Sequence, residues 1–300
     1  MIHTLHYRIH EVTDYINWLY FFHAWGFAPR FAAIAKVHGC EACHTNWVDT
    51  FPEAEREKAK EAARLYTEAR AMLNLLDEQY RTHALVGLFE ANGDGDDILV
   101  WTEDGTQHRL PLLRQQQGEA CLCLSDYVRP IGHGVRDRIG IFASTTDEAI
   151  EQSFPHDDFQ HMLCQTLADR LAEATIERAH EETRKTLWGY APDEQLELED
   201  LFRENYQGRR PAVGYPSLPD QSFAFLLRDI LGMESIGIRL TESGAMQPHA
   251  STCGLMISHP KMRHFSIGAI GKDQLEDYAR RRGLSAEILR PYLSPNLQES

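Results

Sequence analysis

Arg210 is the side chain of this sequence whose setting points most directly to an anionic ligand. It lies in the stretch from Arg203 to Pro216, where an acidic, helical run from Glu194 to Glu204 stops at Gly208 and an extended segment begins. Pro211 biases Arg210 away from the α region, and Pro216 does the same to Tyr215. Gly214 has no Cβ and lets the backbone come close to a ligand. The segment reads as a stiff strip of exposed carbonyls and amides, led by an arginine and ended by a tyrosine. Such a strip suits a flat polar ligand with a carboxylate: the guanidinium forks onto the carboxylate while the backbone reads the ring edges. Taken alone, it is equally a rigid loop with Arg210 in a salt bridge.

A second group with chemistry is His38-Gly39-Cys40-Glu41-Ala42-Cys43-His44. Cys40 and Cys43 have the spacing of half a zinc site, with His38 or His44 as a third ligand. A redox-active pair and plain thiols are the other readings. A closed structural site needs a fourth ligand. No second Cys-x-x-Cys exists and Cys121 and Cys123 have the wrong spacing, so no metal is expected. Asp94, Asp96 and Asp97 lack the ligand count and closing Glu of a calcium loop and read as a solvated turn. His156-Asp157-Asp158 reads as a helix start, where carboxylates oppose the positive end of the dipole.

The elements that must position these residues follow from patterning. Tyr15 to Phe27 is the most aromatic stretch and reads as core. Thr50-Phe51-Pro52-Glu53 reads as a capping box, followed by apolar residues from Ala62 to Tyr80 at spacings of three and four, a long amphipathic helix. Ala84–Phe89, Ile98–Trp101 and Gln107–Leu113, separated by Gly/Asp turns, read as antiparallel hairpins. Ile139–Ala143 reads as a buried strand, Thr145–Glu148 as a second capping box, and Met162 to Ala174 as a buried helical stripe with Glu173 at its edge. Ile236–Ser243, Ser251–Ser258 and Phe265–Ile270 read as a further antiparallel set.

The formal charge of −15 argues against nucleic acid or an anionic membrane as partner, since both want clustered Lys and Arg. The first residues contain no apolar core of a signal peptide, and no run spans a bilayer, so a cytoplasmic protein is expected. Six cysteines are too sparse for a disulfide scaffold.

Arg-Pro-Ala-x-Gly-Tyr-Pro at 210–216 resembles the C-terminal activation domain of cobalamin-dependent methionine synthase. Similar motifs recur in matching order: Tyr15-Ile16-Asn17-Trp18, Val86-Gly87-Leu88-Phe89, Leu113-Arg114-Gln115-Gln116, Leu124 to Val128, Leu167 to Ala174, Trp188 to Pro192, Thr241-Glu242-Ser243 and Asp273 to Arg281. The resemblance runs from about Tyr15 to about Asn296, interrupted by a Cys-containing insertion at about 31–50. It implies one α+β domain over residues 1–300, with an antiparallel sheet bent into a C shape and flanked by long helices. It also implies S-adenosylmethionine as the ligand, with Arg210 on its carboxylate, Asn17, Glu173 and Glu204 around its cationic part, and Ala212, Gly214 and Tyr215 at the adenine. Where the family has an Asp facing the ligand's amino group, this chain has Asn17; where it has two tyrosines after a His-Pro turn, this chain has His264 and Phe265. A neutral hydrogen bond in place of a charged one weakens a ligand by roughly ten-fold.

No Asp-x-His-x-x-Gly for a corrinoid's lower ligand occurs in the chain. The expected function is therefore reactivation in trans: S-adenosylmethionine is held against the cobalamin of a methionine synthase that lacks its own activation domain. A flavodoxin-like protein would supply the electron. The alternative is a non-catalytic binding module, sensing metal or redox state, that keeps the fold and has lost the donor site; whether the chain counts as an enzyme stays open.

Overall fold

The computed structural model describes residues 1–298. Strand β1 (Ile2–Arg8) leads through a short helix α1 (Ile9–Val12) into α2 (Trp18–Ala24). A 3₁₀ segment, Pro29–Lys36, precedes α3 (Glu41–Asp49) and the 27-residue α4 (Glu53–Gln79). Then come β2 (Arg81–Asp94), β3 (Asp97–Trp101), β4 (Gln107–Pro111) and β5 (Asp137–Thr146). Helix α5 (Asp158–Glu182) continues through a π-type turn (Thr183–Leu187) toward α6 (Leu198–Phe202) and α7 (Phe223–Leu231). The chain closes with β6 (Arg239–Leu240), β7 (Met246–Gln247), β8 (Ser251–Met256), α8 (Lys272–Arg282) and α9 (Ala286–Leu293). No helix among the described residues is long and apolar enough to cross a membrane.

The main sheet is antiparallel, ordered β4-β3-β2-β5-β8, with β1 also paired to β2. This is the α+β class read from the sequence. Its period-2 alternation supplies two cores, because helices cover both faces. Ala84, Val86, Phe142 and Met256 point to the face packed by α2, α4 and α5, where Phe21 and Phe22 from the aromatic stretch are fully buried. Leu85, Phe89, Ile141, Cys253 and Leu255 point to the opposite face, under α7. A third cluster joins α8 and α9 to Leu113, Ile267 and Ile270.

Several local expectations are corrected. Helix α4 starts after Pro52 with no side-chain cap, and Thr50 ends α3 instead, its hydroxyl donating to the Trp47 carbonyl. Thr145 is a strand residue, so no capping box forms there. The run from Glu194 to Glu204 is helical only over the five residues of α6. Phe265–Ile270 is not a strand, and β6 and β7 have two residues each. Strand β1 was not foreseen. Asp97 is no solvated turn residue: it is 2% exposed and held by Arg109 and Arg281, its charge neutralised by tertiary partners that spacing does not reveal.

Candidate functional site

The Arg-Pro strip is not a free ribbon of polar backbone. Arg209 exchanges both backbone hydrogen bonds with Ile257, the Pro211 carbonyl accepts from Leu255 N–H, and Val213 N–H donates to Cys253. The strip thus extends the sheet beside β8. Residues 209, 211 and 213 face β8, which turns the backbone groups of Arg210 and the amide of Ala212 the other way. What permits this pairing is Gly254. A Cβ there would lie 2.2 Å from the Pro211 oxygen and 2.7 Å from Ala212 Cα. The close-approach glycine is therefore Gly254, whereas a Cβ on Gly214 would meet only the Gln221 side chain at 3.8 Å; Gly214 serves the turn, with φ +86° and its N–H bonded to the Leu218 carbonyl.

On the outward side lies a cavity of about 620 Å³, within the roughly 300–1,000 Å³ of small-molecule sites. Asn17, Glu173, Glu204, Arg210, Ala212, Tyr215, His264 and Phe265 all line it; Gly214 does not. Four separate stretches of chain supply these walls, and α5 supplies two of the acids, Glu173 and Glu177. Its start is fixed by Asp157, which accepts from Gln160 N–H, and its apolar residues are buried on several sides. Glu173 and Glu177, four residues apart, therefore project from one face.

Arg210 sits between them. Nη2 donates to Glu177 Oε2 at 2.6 Å, and Nη1 lies 3.7 Å from Glu173 Oε2. Burial pulls the guanidinium's pKa down, but Glu177 and Glu173 outweigh it and hold it above the ordinary arginine range. Tyr215 donates its hydroxyl to Glu173 at 3.1 Å; that carboxylate, with burial, pushes the phenol up to about 12. Beneath, His180 is fully buried and kept neutral by burial and by Arg184, Arg210 and Arg209. Three buried polar atoms here, Glu177 Oε1, His180 Nδ1 and Arg210 Nε, have no protein partner, so this floor calls for water or a polar ligand.

Glu204 holds the opposite wall. It adopts φ +54°, an unfavourable conformation for a glutamate, and is held 2.9 Å from His264 Nε2 and 3.3 Å from Arg209 Nε. Burial would raise its pKa; the hydrogen bond from His264 and the nearby arginines outweigh it and hold the carboxyl below its usual range. Asn17 is the N-cap of α2, its Oδ1 accepting from Leu19 N–H at 3.1 Å. Phe265 contributes an aromatic side chain to the rim.

Glu177, Tyr15, Tyr20 and Arg170 also line the cavity and were missed from the sequence. For Glu177 a signal existed, the four-residue spacing from Glu173. For Tyr20, more than half exposed beside the fully buried Phe21 and Phe22, none did.

The fold is that of a reactivation domain. The structure superimposes on the crystal structure of the MetH reactivation domain bound to AdoHcy with a TM-score of 0.87 and 37% identity, covering 100% of this chain and 91% of that one. Residues 8–283 match the vitamin B12 dependent methionine synthase activation domain, and the chain belongs to that family.

Proposed function

We propose that this pocket binds S-adenosylmethionine and that the chain offers its methyl group for reductive remethylation of a corrinoid methyltransferase such as cobalamin-dependent methionine synthase. The observation that carries the reading is Arg210: a largely buried, charged guanidinium with an unpartnered Nε, lining a cavity that also holds the acids Glu173, Glu177 and Glu204 and a second arginine, Arg170. Loss of the methyl group turns S-adenosylmethionine into AdoHcy, the ligand of the similar MetH domain.

In this reading Arg210 takes the ligand's carboxylate, and Glu173 and Glu204 take its ammonium and sulfonium. The Ala212 amide and the Tyr215 ring read the adenine, Phe265 covers it, and Gly214 shapes the turn that aims Tyr215. Asn17 faces the amino-acid end with one lone pair already engaged by Leu19 N–H. When bound, the ligand supplies an electrophilic methyl on sulfur. The chain's own residues neutralise both ends of the ligand and fix its direction, which lowers the barrier by orientation rather than by proton transfer. The cobalamin belongs to a module outside these residues, here taken as a separate methionine synthase, and the electron to a flavodoxin-like donor. Two observations favour the alternative, a non-catalytic binding or metal-sensing module: Asn17 brings no charge to the ammonium, and His38, Cys40 and Cys43 cluster away from the pocket.

Calorimetric titration of S-adenosylmethionine tests the site, with Arg210→Ala as control. Micromolar binding that disappears in the variant supports the reading, and no binding to the native chain overturns it. Added to a corrinoid methionine synthase lacking its activation domain, with S-adenosylmethionine and a flavodoxin-like reductant, the chain should restore activity. Binding without restoration would overturn the trans arrangement and leave the ligand site standing.

A further inference from the structure

We propose that His38, Cys40 and Cys43 form a three-ligand site for a zinc-class divalent ion, its fourth position open to solvent. Cys40 is the N-cap of α3, and its sulfur accepts from Cys43 N–H at 3.3 Å. Cys43 lies in the first turn of the same helix, so both sulfurs gather at one helix end. His38 reaches them from the chain leaving the 3₁₀ segment. The donor atoms of all three residues lie within 4.8 Å of one another. At ordinary zinc bond lengths, donors in a tetrahedral shell stand about 3.5–3.8 Å apart, so small side-chain rotations close the site. Nothing packs within 4 Å of the Cβ position of Gly39, which leaves the corner between His38 and Cys40 free to adjust. His44, the other candidate, is not in the cluster.

The chemistry of this pair also differs from that of the buried cysteines. The hydrogen bonds from Cys43 and His38 bring the Cys40 thiol down to about 7, while the Cys40 contact pushes the Cys43 thiol up. Burial pushes Cys123 and Cys164 up to about 11 and Cys253 to about 12, which makes them inert. A metal needs the thiolate, and its binding at Cys40 and Cys43 releases thiol protons. The ligand set of two thiolates and one imidazole selects zinc or a similarly soft ion over calcium or magnesium. Three protein ligands with a solvent position would tie the exit of the 3₁₀ segment to the start of α3. Nothing in this site depends on the ligand assigned to the pocket.

The test uses the full chain purified without a histidine tag under reducing conditions. The expected results are close to one zinc per chain by elemental analysis and, on titrating cobalt(II) into the stripped protein, intense tetrahedral visible bands with thiolate charge-transfer absorption. Cys43→Ser should weaken the metal at least about 100-fold, and His38→Ala should abolish the tetrahedral bands. His44→Ala should keep both, and all three variants, compared metal-free, should retain the melting profile and S-adenosylmethionine titration of the metal-free native chain. Substoichiometric zinc together with an octahedral cobalt spectrum would overturn the proposal. So would thiol counting that finds Cys40 and Cys43 joined as a disulfide in the reduced preparation.

Discussion

The pocket around Arg210 and the corner at Cys40 both concentrate reactive groups, but they treat water in opposite ways. In the pocket a guanidinium is largely removed from solvent, and Glu177 and Glu173 stand beside it to balance its charge. Removing one partner strands the other, so the site is rigid by necessity. At the corner, Cys40 is exposed and hydrogen-bonded mainly to its own neighbours in sequence. Its groups lose little solvation and remain free to move onto an ion. On the proposed reading the pocket recognises a shape, whereas the corner offers donors.

Substitutions can break or sharpen that contrast. The largest effect is expected at Arg210→Ala, where truncating a buried charge partner costs about 2–5 kcal/mol; titration should show S-adenosylmethionine affinity falling by at least roughly 30-fold. Next is Gly254→Ala. The added Cβ collides with Pro211 and Ala212, and thermal melting should show a loss of about 1–3 kcal/mol, with weaker ligand binding as the strip lifts from β8. Gly214→Ala meets no such collision, and its effect should come from the positive φ alone, about 1 kcal/mol.

Asn17→Asp should keep the α2 cap while adding a charge toward the ammonium, tightening the ligand by up to roughly ten-fold; unchanged affinity would place the ammonium elsewhere. For Glu204 the sign follows from its lowered pKa. A carboxyl depressed in the folded state stabilises above its unfolded value near 4.5 and loses that contribution as pH falls through the folded value. Glu204→Gln should therefore flatten the acid limb of a melting-temperature profile recorded from about pH 6 down to about pH 3. The smallest effect belongs to the corner: in metal-free, reduced protein, alkylation of Cys40 should rise with pH through about 7. Cys43, whose thiol is pushed up by its hydrogen bond to Cys40, should follow at higher pH.

These two regions also differ in how far they could be read from residues alone. The corner spans six residues, and Cys-x-x-Cys with a nearby His is visible in one line of sequence; the structure added the choice of His38 over His44. Of the pocket, the sequence held the arginine, its prolines and the carboxylates of a resembling family. It did not show that Glu177 would be the closer partner of Arg210, or that Gly254 rather than Gly214 would permit the close approach. Both depend on which strand the strip lies against.

By itself, then, the sequence determined what local covalent chemistry and periodicity control: the extended backbone around Pro211, the long helices α4 and α5, the strand segments within β2 and β5, and the family. Only the tertiary structure decided which carboxylate pairs with Arg210, that the strip's polar backbone is half spent on β8, and that Asp97 is buried between two arginines. Those outcomes rest on contacts between residues tens of positions apart, where burial sets the strength of a charge pair and no local spacing records who the neighbour will be.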